Sequence, residues 1–389
     1  MRPQPITKQE FQAKILHLRG VLNNRGYRGI YLSSEGAMRW LTGMRHQVTD
    51  IAPLDSTTIH CLIKPDKEST ILHFYCERWE QNRLQSFLHD PLFSSEAVKV
   101  RYSLIEELYH DDNVLFPGDT GYRELEREIV SVLIEHLQGN QMDKLNYLVS
   151  NSRKALIEIS RLVEEGMTGW DLRSLVYEKF HQKHLELNQV VLGLSGMESF
   201  QHPVTDDDST VQKGSVIKIV VGARYFDMLH SASQLVKIGQ DVTPFEMKVY
   251  KALAAFSLSY AATFTSEAAE KDIYERAYPI AVKVEEEYQL EGFSQCAYLH
   301  HLGGPLSPLG NREFLIKKGG NRRILPYSQF AVNPVDPILF HKCELQGIVI
   351  PDGPPVILDE FALVEHEFMT MPYNGRKVRI PTIISTKEK

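Results

Sequence analysis

A chain of 389 residues, 43% apolar and 24% charged, has the composition of an ordinary globular protein and is long enough for two domains. Its formal net charge of -7, with lysines and arginines scattered rather than clustered, argues against a nucleic-acid partner. No apolar run reaches the roughly 18 residues of a membrane span, and "MRPQPITKQEF" lacks the apolar core of a secretory signal, so no membrane association is expected. Cys61, Cys76, Cys296 and Cys343 are widely spaced with no C-x-x-C pair, which fits buried free thiols in a reducing cytoplasm.

The first predicted element is a helix opened by Thr7 and Glu10 in capping-box spacing. Phe11, Ile15, Leu18 and Leu22 recur at helical spacing, and Gly26 ends it. "GIYL" follows as a short buried strand. "TTIHCLI" and "STILHFY", separated by "KPDKE", form a hairpin signal. "YRELEREIVSVLIEHLQG" reads as an amphipathic helix running to Gly139. Alternating strands and helices make this stretch an α/β domain. A more helical region follows, with Leu148, Ala155, Ile159 and Leu162 on one face of its first helix and Thr168 or Asp171 capping the next. Strands dominate residues 188–239, two helices follow with Pro244 in the first turn of one, and the last 90 residues are loops and strands.

The stretch "VIKIVVGARYFDMLHSASQLV", Val216 to Val236, reads as two apolar strands around a Gly222-Ala223 turn. Strand alternation puts Val216, Lys218 and Val220 on one face and Ile217, Ile219 and Val221 on the other. His230 points opposite to Ser231. Lys342 and Glu344, two apart in an apolar strand, share a face and suit an ion pair.

"YLSSEGAMRWLTG" (Tyr31 to Gly43) resembles a strand-loop segment of the N-terminal domain of the creatinase and aminopeptidase P family. Phe200 to Gly239 resembles the central segment of that family's C-terminal pita-bread domain, and "HHLGGP", "QFAVNP" and "HKCELQGIVI" resemble its later site segments. Their joint order covers nearly the whole chain. The resemblance implies an α/β (α+β) fold: a creatinase-like domain over 1–142, then a pita-bread domain over 143–389. It also implies a homodimer.

Two adjacent divalent ions want several anionic oxygens, and the family supplies two aspartates, a histidine and two glutamates. At those positions this sequence has Val220, Ser231, His301, Asn333 and Glu344. The expectation is therefore no metal and no other cofactor. The family's substrate-side histidine position falls at Gln201, with His202 beside it. The resemblance thus points to His202, His301 and Glu344 as catalytic groups, and to Gln201, Ser231, His300 and Asn333 as substrate contacts. Arg312, in "GNREF", is either a solvated loop charge or a further substrate contact that clamps a carboxylate. The implied function is a metal-independent member that binds a small molecule or short peptide and hydrolyses a C–N bond of a small amide or guanidino-like compound. Two alternatives stand beside it: a non-catalytic peptide- or partner-binding protein, and an Xaa-Pro metallopeptidase with unrecognised ligands.

Overall fold

Thr7 opens the first helix by accepting a hydrogen bond at Oγ1 from the Glu10 amide, 3.1 Å, and Gly26 closes it at φ 74°. Only glycine adopts that left-handed backbone at no steric cost. These features belong to a computed structural model that describes residues 2–44, 57–66, 69–93, 97–109, 113–133, 139–194, 209–299, 302–307, 315–361 and 367–386. The chain divides into two compact units: Met1–Lys144 with Phe226–Met228 and Ser307–Glu313, and Leu145–Tyr225 with Leu229–Leu306 and Phe314–Lys389.

The first unit runs α1 (Lys8–Arg25), β1 (Gly29–Leu32), α2 (Glu35–Thr42), β2 (Ile59–Pro65), β3 (Thr70–Cys76), α3 (Gln81–Leu88), β4 (Val98–Leu104), β5 (Val114–Leu115) and α4 (Tyr122–Val130). Its sheet has the order β4-β3-β2-β1-β5. The β2/β3 hairpin forms as expected, antiparallel, while β4 and β5 join in parallel. Phe11, Ile15, Leu18 and Leu22 of α1 pack with Trp40 and Ile129 over Ile30, Ile63 and Phe74 of the sheet. Two expectations need correction. The segment after β1 is a helix rather than a loop, since Ser34 Oγ caps the Ala37 amide. The helix expected to reach Gly139 stops at Val130, where "IVSV" brings β-branched residues and a serine of low helix propensity.

The second unit follows through α5 (Asn140–Leu162), within which the division falls, α6 (Gly169–Gln182), β6 (Glu186–Gly193), β7 (Val216–Tyr225), β8 (Met228–Lys237), α7 (Pro244–Ala261), α8 (Glu270–Tyr288), α9 (Cys296–Leu299), β9 (Gly303–Pro305), β10 (Gln329–Val332), β11 (Leu345–Ile348), β12 (Val356–Ile357), β13 (Phe368–Tyr373), β14 (Arg376–Pro381) and β15 (Ile384–Ser385). Two four-stranded sheets result, β15-β8-β7-β6 and β12-β11-β10-β9. Thr168 caps α6 in a capping box with Asp171, and Thr243 caps α7 with Pro244 in the first turn. Leu148, Ala155 and Ile159 are buried on α5, but Leu162 at its last position is 37% exposed. All four cysteines are buried and free. Among the described residues no helix is long and apolar enough to cross a membrane.

The central hairpin turns four residues later than its sequence suggests. β7 runs straight through Gly222-Ala223 to Tyr225, and the turn is Phe226-Asp227, with Phe226 at φ 53°. Gly222 serves a different purpose. A Cβ there would sit 2.4 Å from Asn188 Oδ1, beside the register shift between Leu187 and Gln189 of β6. Such a glycine marks a bulge with close approach rather than a chain reversal.

Asp227, in the turn, is fully buried within the first unit. It takes hydrogen bonds from Lys14 Nζ, 2.9 Å, and from Lys144 Nζ. Glu10 pairs with both lysines, at 2.7 and 2.9 Å. That is where the Glu10 side chain goes instead of completing the capping box. Burial alone would raise the Asp227 carboxyl, but Lys14 and Lys144 outweigh it and hold it below its ordinary value. A carboxylate depressed in the folded state contributes stability above its unfolded pKa and loses it as pH falls through the folded one. We therefore expect Asp227→Asn to destabilise the protein by about 3–5 kcal/mol at pH 7, because two buried ammoniums are left sharing the single Glu10 carboxylate. The gap to the wild type should narrow below about pH 4 in chemical denaturation. A neutral variant with unchanged midpoint would contradict it.

Candidate functional site

The site grows from the alternation of β8. Ser231 and Ser233, two apart, point to the same side and meet the segment leading into β11. Ser231 Oγ donates to Glu344 Oε1, and the Glu344 amide donates to Ser233 Oγ, 3.0 Å. Two residues on, Gln346 repeats the stitch. Its Oε1 accepts from the Ser231 amide at 2.8 Å, and its Nε2 donates to Leu229 O at 2.9 Å and Gln329 Oε1 at 2.8 Å. Ser231, Ser233, Glu344 and Gln346 are all buried. The two sheets of the second unit are thus joined by polar side chains, each answering a group that burial would otherwise leave costly.

Asn333 stands across from Glu344. The β10/β11 register pairs Val332 with Leu345 and resumes at Val335 and Lys342, so just beyond the strand ends Asn333 stands opposite Glu344. Asn333 is 2% exposed, and its Oδ1 accepts no hydrogen bond among the described residues. Lys342 Nζ lies 3.7 Å from Glu344 Oε2, both side chains buried, which forms the expected ion pair. Lys218 shares the Val220 side of β7. Burial, then the nearby Lys342 ammonium, push its ammonium down to about 7, with Glu344 opposing. His230, on the other face of β8, is buried with neither ring nitrogen hydrogen-bonded among the described residues. Burial and Arg153 drive it well below its ordinary pKa against the pull of Glu344, so it is a neutral core imidazole.

Of the residues singled out from sequence, the fold brings together Ser231, Glu344 and Asn333. Gln201, His202, His300, His301 and Arg312 lie outside the described residues. Sequence reasoning passed over Gln346, Ser233 and the cationic share of Lys218. Their signal is present in the pattern: each is a polar residue two away from a site position on a strand, hence on the same face.

A sequence profile of metallopeptidase family M24 matches residues 143–380. The chain belongs to metallopeptidase family M24. Its fold is the two-domain α/β pita-bread architecture of that family. Among solved structures it is similar to a dipeptidase from Mycobacterium ulcerans (TM-score 0.64, 14% identity, 98% of this chain and 100% of that one). It is also similar to an X-Pro aminopeptidase from Thermotoga maritima (0.61, 14%, 95% and 99%) and an aminopeptidase from Pseudomonas aeruginosa (0.64, 12%, 92% and 96%). At such identities the likeness speaks for the fold. No curated protein matches the sequence.

The family's name implies metal, and the donor set tests that implication. Val220 offers no ligand atom, Asn333 and Ser231 offer neutral oxygens, and the one carboxylate, Glu344, already faces a hydroxyl and an ammonium. Among the described residues no group of three or more His, Cys, Asp or Glu side chains converges. These residues do not fit a pair of divalent ions, which need several anionic oxygens.

If Lys342 is the counter-charge of Glu344, breaking either half leaves the other buried and uncompensated. Glu344→Gln and Lys342→Met should each cost about 2–3 kcal/mol, and the double variant less than their sum by 1 kcal/mol or more. A denaturation double-mutant cycle measures this. Additive losses would remove the pair from the account.

Proposed function

We propose that this M24 member works without metal and binds a small amide, whose C–N bond is its point of attack. The observation that carries the reading is the Glu344 carboxylate held between the Ser231 hydroxyl and the Lys342 ammonium. A carboxylate neutralised from within the chain has no call for a dication. The polar ends also suit an amide. Asn333 Oδ1 is an acceptor lacking a donor, which an amide N–H supplies, and a lysine ammonium is a donor for the amide oxygen. The Lys342 ammonium already beside the one carboxylate disfavours a guanidinium, so the amide is the better half of the class suggested by sequence. The relatives described as X-Pro aminopeptidase and dipeptidase support the same bond type.

Hydrolysis needs a proton carrier beside the scissile nitrogen, and we assign that task to His202 or His301. Binding without turnover is favoured by one observation: Glu344 Oε1 accepts from the Ser231 hydroxyl and Oε2 lies 3.7 Å from the Lys342 ammonium, so the carboxylate is engaged within the chain. As in the family, we propose a homodimer as the working form.

Thermal-shift and calorimetric titrations with glycyl-proline, acetamide and creatine, before and after dialysis against EDTA, test the reading. We expect an amide to raise the melting temperature equally in both states, creatine to have no effect, and Glu344→Gln to lose the response. Binding or X-Pro cleavage that appears only on adding Mn2+ would favour the metallopeptidase alternative and sink the proposal.

A further inference from the structure

Beside the Glu344 seam, on the same side of β7, lies a cleft of about 180 Å³ whose walls include Val216, Leu235, Leu339 and Phe340. That is room for on the order of six water-sized groups. Val216, Leu339 and Phe340 are half-buried, so the cleft opens outward, while Lys218 in its lining is 2% exposed. Lys218 forms no hydrogen bond or ion pair within 4.0 Å among the described residues. The carboxylate in the cleft lining, Glu246, is committed elsewhere, to Lys237 Nζ at 2.8 Å and to the Thr243 amide at 2.8 Å. A buried amine in a cleft walled partly by Val216, Leu235, Leu339 and Phe340, with no ion pair of its own and close to a second lysine, has the surroundings that turn a lysine from a salt-bridge partner into a nucleophile.

We propose that Lys218 is a covalent capture site for a small aldehyde or ketone, which condenses with its Nζ to an imine. The nitrogen lone pair forms the bond to the carbonyl carbon, and one nitrogen-bound proton moves to the oxygen, giving a carbinolamine. Loss of that hydroxyl together with the second nitrogen-bound proton releases one water and leaves the C=N bond. Nothing is oxidised or reduced. His341 lines the same cleft, and its Nδ1 makes no hydrogen bond, having only Asp336 at 3.8 Å. That makes it the proton relay between nitrogen and oxygen. Val216, Leu235, Leu339 and Phe340 give a short alkyl carbonyl compound apolar contact, and Glu246 in the same lining disfavours an anionic one. The depressed ammonium of Lys218 noted above agrees with a free amine at neutral pH, the form that attacks.

The inference does not rest on amide binding at Glu344, and the two fail separately: a ligand response lost in one assay leaves the adduct map of the other unchanged. The test treats the full-length protein with propanal and limiting sodium cyanoborohydride at pH 7, which reduces the imine to a stable secondary amine, followed by peptide mass mapping. Lys218 should be alkylated at least tenfold faster than the exposed Lys8 and Lys251. Lys218→Arg, which keeps a cation but forms no imine, should lose the fast adduct. The wild-type map alone decides if that variant fails to fold. Labelling of Lys218 at or below the rate of Lys8 and Lys251 would overturn the proposal.

Discussion

A carboxylate buried between two sheets has to be answered by something positive or by donors, and the answer chosen at Glu344 sets the character of this protein. In a dinuclear site, dications supply that charge and draw further carboxylates around themselves. Here a hydroxyl from β8 and an ammonium two residues away in the segment leading into β11 supply it. The seam then closes on itself: Gln346 takes the next position, binding the Ser231 amide, Leu229 O and Gln329 in one side chain. At this seam the sheets are held together by side chains of the chain itself.

That exchange is compatible with the M24 architecture, because the seam is held by side chains of the chain itself. Val220 adds apolar surface beside it, since a buried valine stabilises by roughly 1.5–3 kcal/mol. The remaining polar atoms keep a directional character suited to a ligand of their own size. Asn333 Oδ1, opposite Glu344, is the clearest of them, because an unsatisfied buried acceptor costs about 1–3 kcal/mol unless a donor arrives.

Much of this was legible in the sequence, for reasons that differ by element. Helix α1 could be read because Thr7, its apolar stripe and Gly26 act locally. The meeting of Ser231 with Glu344 followed from the order of family-like segments, and the Lys342–Glu344 pair followed from period-two alternation alone. The hairpin turn was misplaced because Gly222 looks like a turn former, when its missing Cβ in fact admits Asn188 from another strand. Only the three-dimensional neighbour reveals that. The α4 helix overran for the opposite reason: a continuous amphipathic pattern hid a β-branched stretch where the helix ends. Lys218 was visible on the correct face, but its low basicity comes first from burial and then from Lys342, 124 positions away in the chain, and no local pattern reports either.

The most direct test of the central claim is equilibrium dialysis of the purified, EDTA-treated chain against micromolar Mn2+ and Co2+, with elemental analysis of the retained ions. An internally neutralised Glu344 predicts far less than one ion per chain, with Lys342→Met raising that occupancy before any other single substitution does. One or two equivalents retained by the wild type would mean that the carboxylate is still answered by metal, and would contradict the account.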